Sequence, residues 1–202
     1  MKWLSIFALC LALASCGSDT PSAEKNIKTV EVEIERPRQQ FPNQRTPAVT
    51  KEVVDRVARL LEITSNGQMT PMVREANKNP DFQSNFGGQS HSRHWSLLRR
   101  IGIDPVQNLR EILDQPYDVK RVGNEDWFIW PDFAAHPPED LIPEGLSFQD
   151  RARLRDLIGE RGIARIRAGE PYPGVRLAIS DTGRWVYFIH DIDSYEDESN
   201  DQ

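Results

Sequence analysis

Between Thr50 and Pro116 the apolar residues recur every third or fourth position, and beyond Pro116 the period shortens to two. Val53, Val54, Val57, Leu60 and Leu61 form one stripe, which predicts a helix over 51–63 with Thr50 as its cap. Glu52 with Arg56 and Asp55 with Arg59 are spaced as acid-before-base pairs on its wet side. Thr70-Pro71 predicts the start of a short helix ending near Asn79-Pro80. A loop over 80–91 follows, then a helix over 92–100 with Trp95, Leu98 and Ile101 inward. Asp104-Pro105, with Gln107 three residues after the cap, opens another helix that buries Val106, Leu109, Ile112 and Leu113.

The short-period region predicts two hairpins. Tyr117 to Val122 and Trp127 to Trp130 flank a four-residue loop, Gly123-Asn124-Glu125-Asp126. Val175 to Ser180 and Arg184 to His190 flank Asp181-Thr182-Gly183. Between the hairpins lie a proline-rich stretch over 131–146 and a helix capped by Ser147, carrying Leu154, Leu157 and Ile158, then Ile163 and Ile166. The expected fold is α+β, with about four to six helices packed on a small antiparallel sheet, in a single domain over 48–191. Strict alternation puts Trp185, Tyr187 and Ile189 on one face of the last strand and Val186, Phe188 and His190 on the other. Val175, Leu177 and Ile179 alternate with Arg176, Ala178 and Ser180, so the strand before it is expected to bury one face. If the helices cover one face of the sheet and the 131–146 segment covers the other incompletely, Trp127, Trp130, Trp185 and Tyr187 are candidates to line an aromatic groove. The stretch GVRLAISDTGRWVYFIHD over 174–191 resembles a C-terminal segment of small uncharacterised bacterial proteins, and that resemblance implies no activity.

The amino-terminal end has another character. Lys2 precedes an apolar run from Trp3 to Ala12, shorter than the roughly twenty residues that span a bilayer. Leu13-Ala14-Ser15-Cys16 follows, and with it the chain resembles the bacterial lipoproteins: an aliphatic residue, two small residues, then cysteine. The resemblance implies a signal peptide over 1–15, cleavage after Ser15 and lipidation of Cys16. With Gly17 rather than aspartate after the cysteine, it implies the outer membrane, facing the periplasm, in preference to the inner membrane. An ordinary cleaved signal with an incidental cysteine is the alternative. Residues 16–47 read as a flexible tether, within which 29–35 alternates Val30, Val32 and Ile34 with glutamates and could dock as an edge strand.

Composition narrows the function further. Cys10 and Cys16 are the only cysteines, so a chain that loses the first and acylates the second has neither a disulfide nor a catalytic thiol. The formal net charge is −6, and Asp191, Asp193, Glu196, Asp197, Glu198 and Asp201 account for it. Residues 192–202 read as an acidic disordered tail, and no basic field recommends nucleic acid.

His91 and His94, at i and i+3, could share a metal with His136 or with His190 and Asp191, although no HExxH pattern is present; two partly exposed histidines in a first helical turn are the plainer reading. Gly88-Gln89-Ser90-His91 lacks the last glycine of a nucleophile elbow. Glu125 and Asp126 read as a solvated loop tip. Arg151, Arg153, Arg155, Arg161, Arg165 and Arg167 could meet anionic headgroups or cell-wall carboxylates, or form a salt-bridged wet face. The sequence therefore predicts a membrane-anchored envelope module, without catalysis or cofactor, that binds the cell wall, headgroups or another envelope protein. The alternative is a periplasmic hydrolase with a site assembled from scattered histidines and carboxylates.

Overall fold

Thr50 closes the entry segment by accepting the Val53 N–H on its hydroxyl at 3.3 Å, and α1 (Lys51–Ile63) follows as expected. The computed structural model describes residues 48–191. Cys16, the signal and tether, the 29–35 segment and the 192–202 tail lie outside them. The apolar stripe of α1 is narrower than its periodicity implied. Val53 and Leu60 are buried, whereas Val54 and Leu61 are exposed. The expected i, i+4 pairs do not form either. Arg56 pairs with Glu75 across the fold, Arg59 pairs with Glu62 at 2.7 Å, and Asp55 takes Lys51.

Helix α2 (Met69–Ala76) begins before Thr70, so Thr70 and Pro71 lie in its first turn, where proline's missing N–H leaves no bond unmade. Its Glu75 is buried. Burial alone would raise its pKa, but Lys78 and Arg56 outweigh that and hold it below the usual carboxylate range. Helix α3 (His91–Arg100) starts one residue early because Ser90 caps it, accepting the Arg93 N–H at 3.4 Å. Ile101, expected inward, falls after the last turn and is exposed. Asp104 caps α4 (Pro105–Leu113) through Val106 N at 2.9 Å, while Gln107 turns to Glu111 instead of back to the cap.

Strands β1 (Asp118–Val122) and β2 (Glu125–Trp130) are joined by two residues, Gly123 and Asn124, not four. Glu125 and Asp126 are therefore strand residues. The 131–146 stretch winds into three short 3-10 turns, Asp132–Ala135, Pro138–Leu141 and Pro143–Gly145. With α5 (Phe148–Arg167), which kinks at Gly159 (φ 63°), they enclose a small core of Phe133, Leu141, Leu154, Ile166 and Tyr172. Strands β3 (Arg176–Ser180) and β4 (Trp185–Ile189) complete a sheet of order β1-β2-β3-β4, antiparallel throughout. The fold is α+β, and its sheet is the pairing of the two predicted hairpins.

The register of β4 corrects the expected faces. Ala178 pairs with Tyr187 and Ile179 with Trp185, so Val186 is an extra residue, a bulge. The bulge moves Trp185 to the Phe188 side, where both join Phe128, Trp130, Leu177 and Ile179 against α1 to α4. Val186 and Tyr187 turn to the opposite face, with Trp127, Ile129 and Ala178. The carbonyls around the bulge are satisfied from the 79–83 segment. Asn79 Nδ2 donates to Trp185 O at 3.0 Å, Gln83 N donates to Val186 O at 3.2 Å, and Phe188 N returns a bond to Gln83 O at 2.9 Å. This covers an edge that would otherwise be free to pair. Strand β3 is buried on both faces, not one: Ala178 and Ser180 are as inaccessible as Leu177 and Ile179.

The β3–β4 turn is clamped to α1. Thr50 Oγ1 donates to Asp181 O at 2.9 Å and Arg56 Nε to Gly183 O at 2.7 Å. Gly183 has φ 77°, and a Cβ there would meet Glu52 O at 2.8 Å, so the close approach of helix and turn needs glycine. Among the described residues no helix is long and apolar enough to cross a membrane.

Candidate functional site

The helices close one face of the sheet, whereas the other is covered only in part, by Ala134 and Ala135 of the first 3-10 turn. What remains open is a cavity of about 490 Å³ bordered by Phe86, Trp127, Arg176, Arg184 and Tyr187. The small side chains of Ala178 and Ser180 on this face leave room for large neighbours to stand over the sheet. Trp127 and Tyr187 do so, meeting edge to face with ring centroids 6.1 Å apart.

Each wall is fixed by chemistry behind it. Trp127 donates its indole N–H to Glu125 at 3.1 Å, and Arg184 pairs with the same carboxylate at 2.5 Å. Those two donors, the indole first, hold Glu125 below the usual carboxylate range. Burial raises the Tyr187 phenol to about 12, so it stays protonated as a hydrogen-bonding group. Arg176 Nη1 donates to Tyr172 O at 3.1 Å and Gly174 O at 3.2 Å. Among the described residues Arg176 forms no ion pair. Asp191, whose charge it feels, is engaged by Arg165 at 3.1 Å. Burial lowers the Arg176 pKa, the mark of a guanidinium short of solvent. Phe86, 76% exposed, stands at the rim with its ring centroid 6.0 Å from the Arg176 guanidinium.

Of the four expected groove residues, the structure brings Trp127 and Tyr187 together on this face. Trp130 and Trp185 belong to the helix-covered core, at 4% and 3% exposure. Trp130 alternates away from Trp127 within β2, and the bulge carries Trp185 away from Tyr187.

The histidines distribute differently from the expected metal pair. His91 bonds through Nδ1 to Ser84 Oγ at 2.8 Å, while His94 is buried and its Nε2 has no partner. His94 and His190 border a second cleft of about 250 Å³, together with Asp191. Burial lowers the pKa values of His91, His94 and His190. The charge of His91 adds to the effect at His94, and that of His94 adds to it at His190, which is pushed to about 3. His136 lies elsewhere, with Nε2 at 3.0 Å from Asp118 Oδ2. Among the described residues no three histidine, aspartate or glutamate side chains are grouped to hold a metal ion. Ser90, the serine of the incomplete elbow motif, serves as the α3 cap.

The arginine run of α5 is largely engaged. Arg153 grips Asp132 through both nitrogens at 2.7 and 2.8 Å and lies over Phe133. Arg155 pairs with Glu160, Arg165 with Glu170, and Arg167 with Glu144. This is the salt-bridged alternative, and it leaves little free charge for a broad anionic surface.

Arg176, Arg184 and Phe86 were not singled out by sequence. Arg176 carries the one legible signal, a charge among small residues on an otherwise apolar strand. Comparison with protein-family models, curated proteins and solved structures found no match to this chain.

Proposed function

We propose that this protein is a lipid-anchored binding module of the bacterial envelope, whose ligand seats on the open face of the sheet against Trp127 and Tyr187. The observation that carries the reading is the combination on that face of an aromatic pair with a cavity of about 490 Å³, a size ordinary for small-ligand sites. The anchor rests on the lipobox at Cys16. Replacing Cys16 with alanine is expected to release the protein from the membrane fraction into the soluble periplasm. Retention of the variant in the membrane would end that part of the proposal.

Trp127 is the one tryptophan among the described residues that is not buried, so it can report occupancy of the cavity. Titrating the full mature chain carrying Cys16→Ala with soluble fragments of purified cell wall is expected to change tryptophan emission. Trp127→Ala should weaken binding about tenfold or more while moving Tm by only a few degrees, because a partly buried ring at the margin of the core contributes less than a fully buried one. Unchanged affinity in Trp127→Ala, or no response to any wall fragment, counts against the reading.

The cleft holding His94, His190 and Asp191 favours the hydrolase alternative on composition. Its electrostatics disfavour it. A general base works best with a pKa near the operating pH, and His190 at about 3 is too weak a base. Asp191 is turned to Arg165, and Ser84 is buried out of reach of a substrate.

A further inference from the structure

The second cleft and the ion-paired face of α5 present polar groups that are largely engaged or too weakly basic to act. The cavity over β3 and β4 is different, because it holds a cation with bonding capacity to spare. Arg176 uses Nη1 on the carbonyls of Tyr172 and Gly174. Those two bonds fix the guanidinium plane from one side. Its Nε and Nη2 have no bond to any described residue and are not sealed from the cavity. Nε and Nη2 form the fork that matches the two oxygens of a carboxylate. Beside the fork stand the Trp127 and Tyr187 rings, with Phe86 at the rim, as apolar faces on which a sugar ring can stack. Asp81 and Gln83 on the cavity wall add hydrogen-bonding groups suited to hydroxyls.

Resting on the binding reading above, we infer that the cavity recognises an acidic sugar, with Arg176 taking the carboxylate in a bidentate pair and Trp127 and Tyr187 taking the ring. A guanidinium partly withdrawn from water gains from an anionic partner, and the ligand carboxylate supplies one where no described residue forms an ion pair with it. Arg184 does not share this role, because Glu125 already neutralises it. Two sources offer this chemistry in an envelope: the lactyl carboxylate of muramic acid in the cell wall, and the ring carboxylate of uronic acids in polysaccharides.

The test uses the full mature chain with Cys16→Ala and three probes: N-acetylmuramic acid, glucuronic acid and the uncharged N-acetylglucosamine. At least one acid is expected to bind tenfold or more tighter than the neutral sugar. A preference for the first acid points to the wall, and a preference for the second to polysaccharide; either supports the shared chemistry. Arg176→Gln should remove the preference, bringing the affinity for the acid down to that for the neutral sugar in the same variant. Arg176→Lys, which keeps the charge but not the fork, should fall between. Thermal melting of both variants separates loss of the fork from loss of the Tyr172 and Gly174 latch, since a merely structural arginine would lower Tm without changing selectivity in the folded protein. Equal affinity for acid and neutral sugars overturns the inference while leaving the binding reading intact. A wall-fragment response at Trp127 with no acid-sugar binding does the same. No response to wall fragments and none to any of the three sugars removes the reading beneath it.

Discussion

Replacing Trp95 with alanine is expected to cost the fold about 4 kcal/mol, the range for deleting a fully buried tryptophan. Trp95 has no exposed surface and sits where α3 meets the sheet, within 6.3 Å of the Phe82, His91, Trp185 and Phe188 ring centroids. No single neighbour can swing into the space, because each is held by another ring of the same cluster. For a domain whose total stability is ordinarily about 5–15 kcal/mol, that loss is a large fraction. Tm should fall by about 10 °C or more. Trp95→Phe should cost much less, since the Trp95 indole N–H is buried without a partner and phenylalanine removes that unmet donor. Chemical denaturation of both variants checks the contrast. A Trp95→Ala protein as stable as its parent would mean that the core is not centred on this cluster.

Acidification should destabilise the protein before its carboxylates titrate. His190 is buried against Phe188, with ring centroids 4.6 Å apart and neither ring nitrogen bonded. Its folded pKa, about 3, lies below the ordinary 6.5. The unfolded chain therefore binds a proton first as pH falls. Stability is whole above pH 6.5 and drains between 6.5 and about 3. By pH 5 the loss from this group alone is about 2 kcal/mol. His94 on α3 and His91 shift the same way, while Asp191 beside the cleft is occupied by Arg165. Urea midpoints measured from pH 7.5 to 5 should fall steadily, and His190→Leu should remove most of the slope. A midpoint independent of pH over that window would show that His190 is solvated in the folded state.

How far these features could be read in the sequence depends on how local they are. Thr50, Ser147 and Asp104 were legible as caps because a cap needs only the next two or three residues. The buried faces of α3 and α4 were legible at Trp95, Leu98, Leu109 and Ile112 because helical spacing selects them. Val54 and Leu61 misled because a stripe records what can be buried, while the width of the partner surface decides what is. Ion pairs fared worse. Arg56 had a partner at the favoured spacing in its own helix and took Glu75 from another.

The candidate groove divides along the same line. Trp127 and Tyr187 were visible as aromatic strand residues, but so were Trp130 and Trp185. Trp185-Val186-Tyr187-Phe188-Ile189 is apolar at every position, so alternation offers no register to read, and a bulge leaves no trace in such a run. Only pairing with β3, supported by Asn79 and Gln83 from a distant loop, puts Trp185 in the core and Tyr187 at the cavity. Arg176 is the sharper case. Its place on the strand could be counted, but that no described carboxylate pairs with it depends on where every one of them lies in the fold.

By itself the sequence determined the helices, the two hairpins and hence the α+β class, because caps, turns and periodicity act over a few neighbouring residues. Tertiary structure alone decided which face of the sheet stays open, which aromatics reach it and which arginine stands there with no ion pair to a described residue. Those are properties of residues far apart in the chain, and packing and charge neutralisation choose among partners that no local pattern can rank.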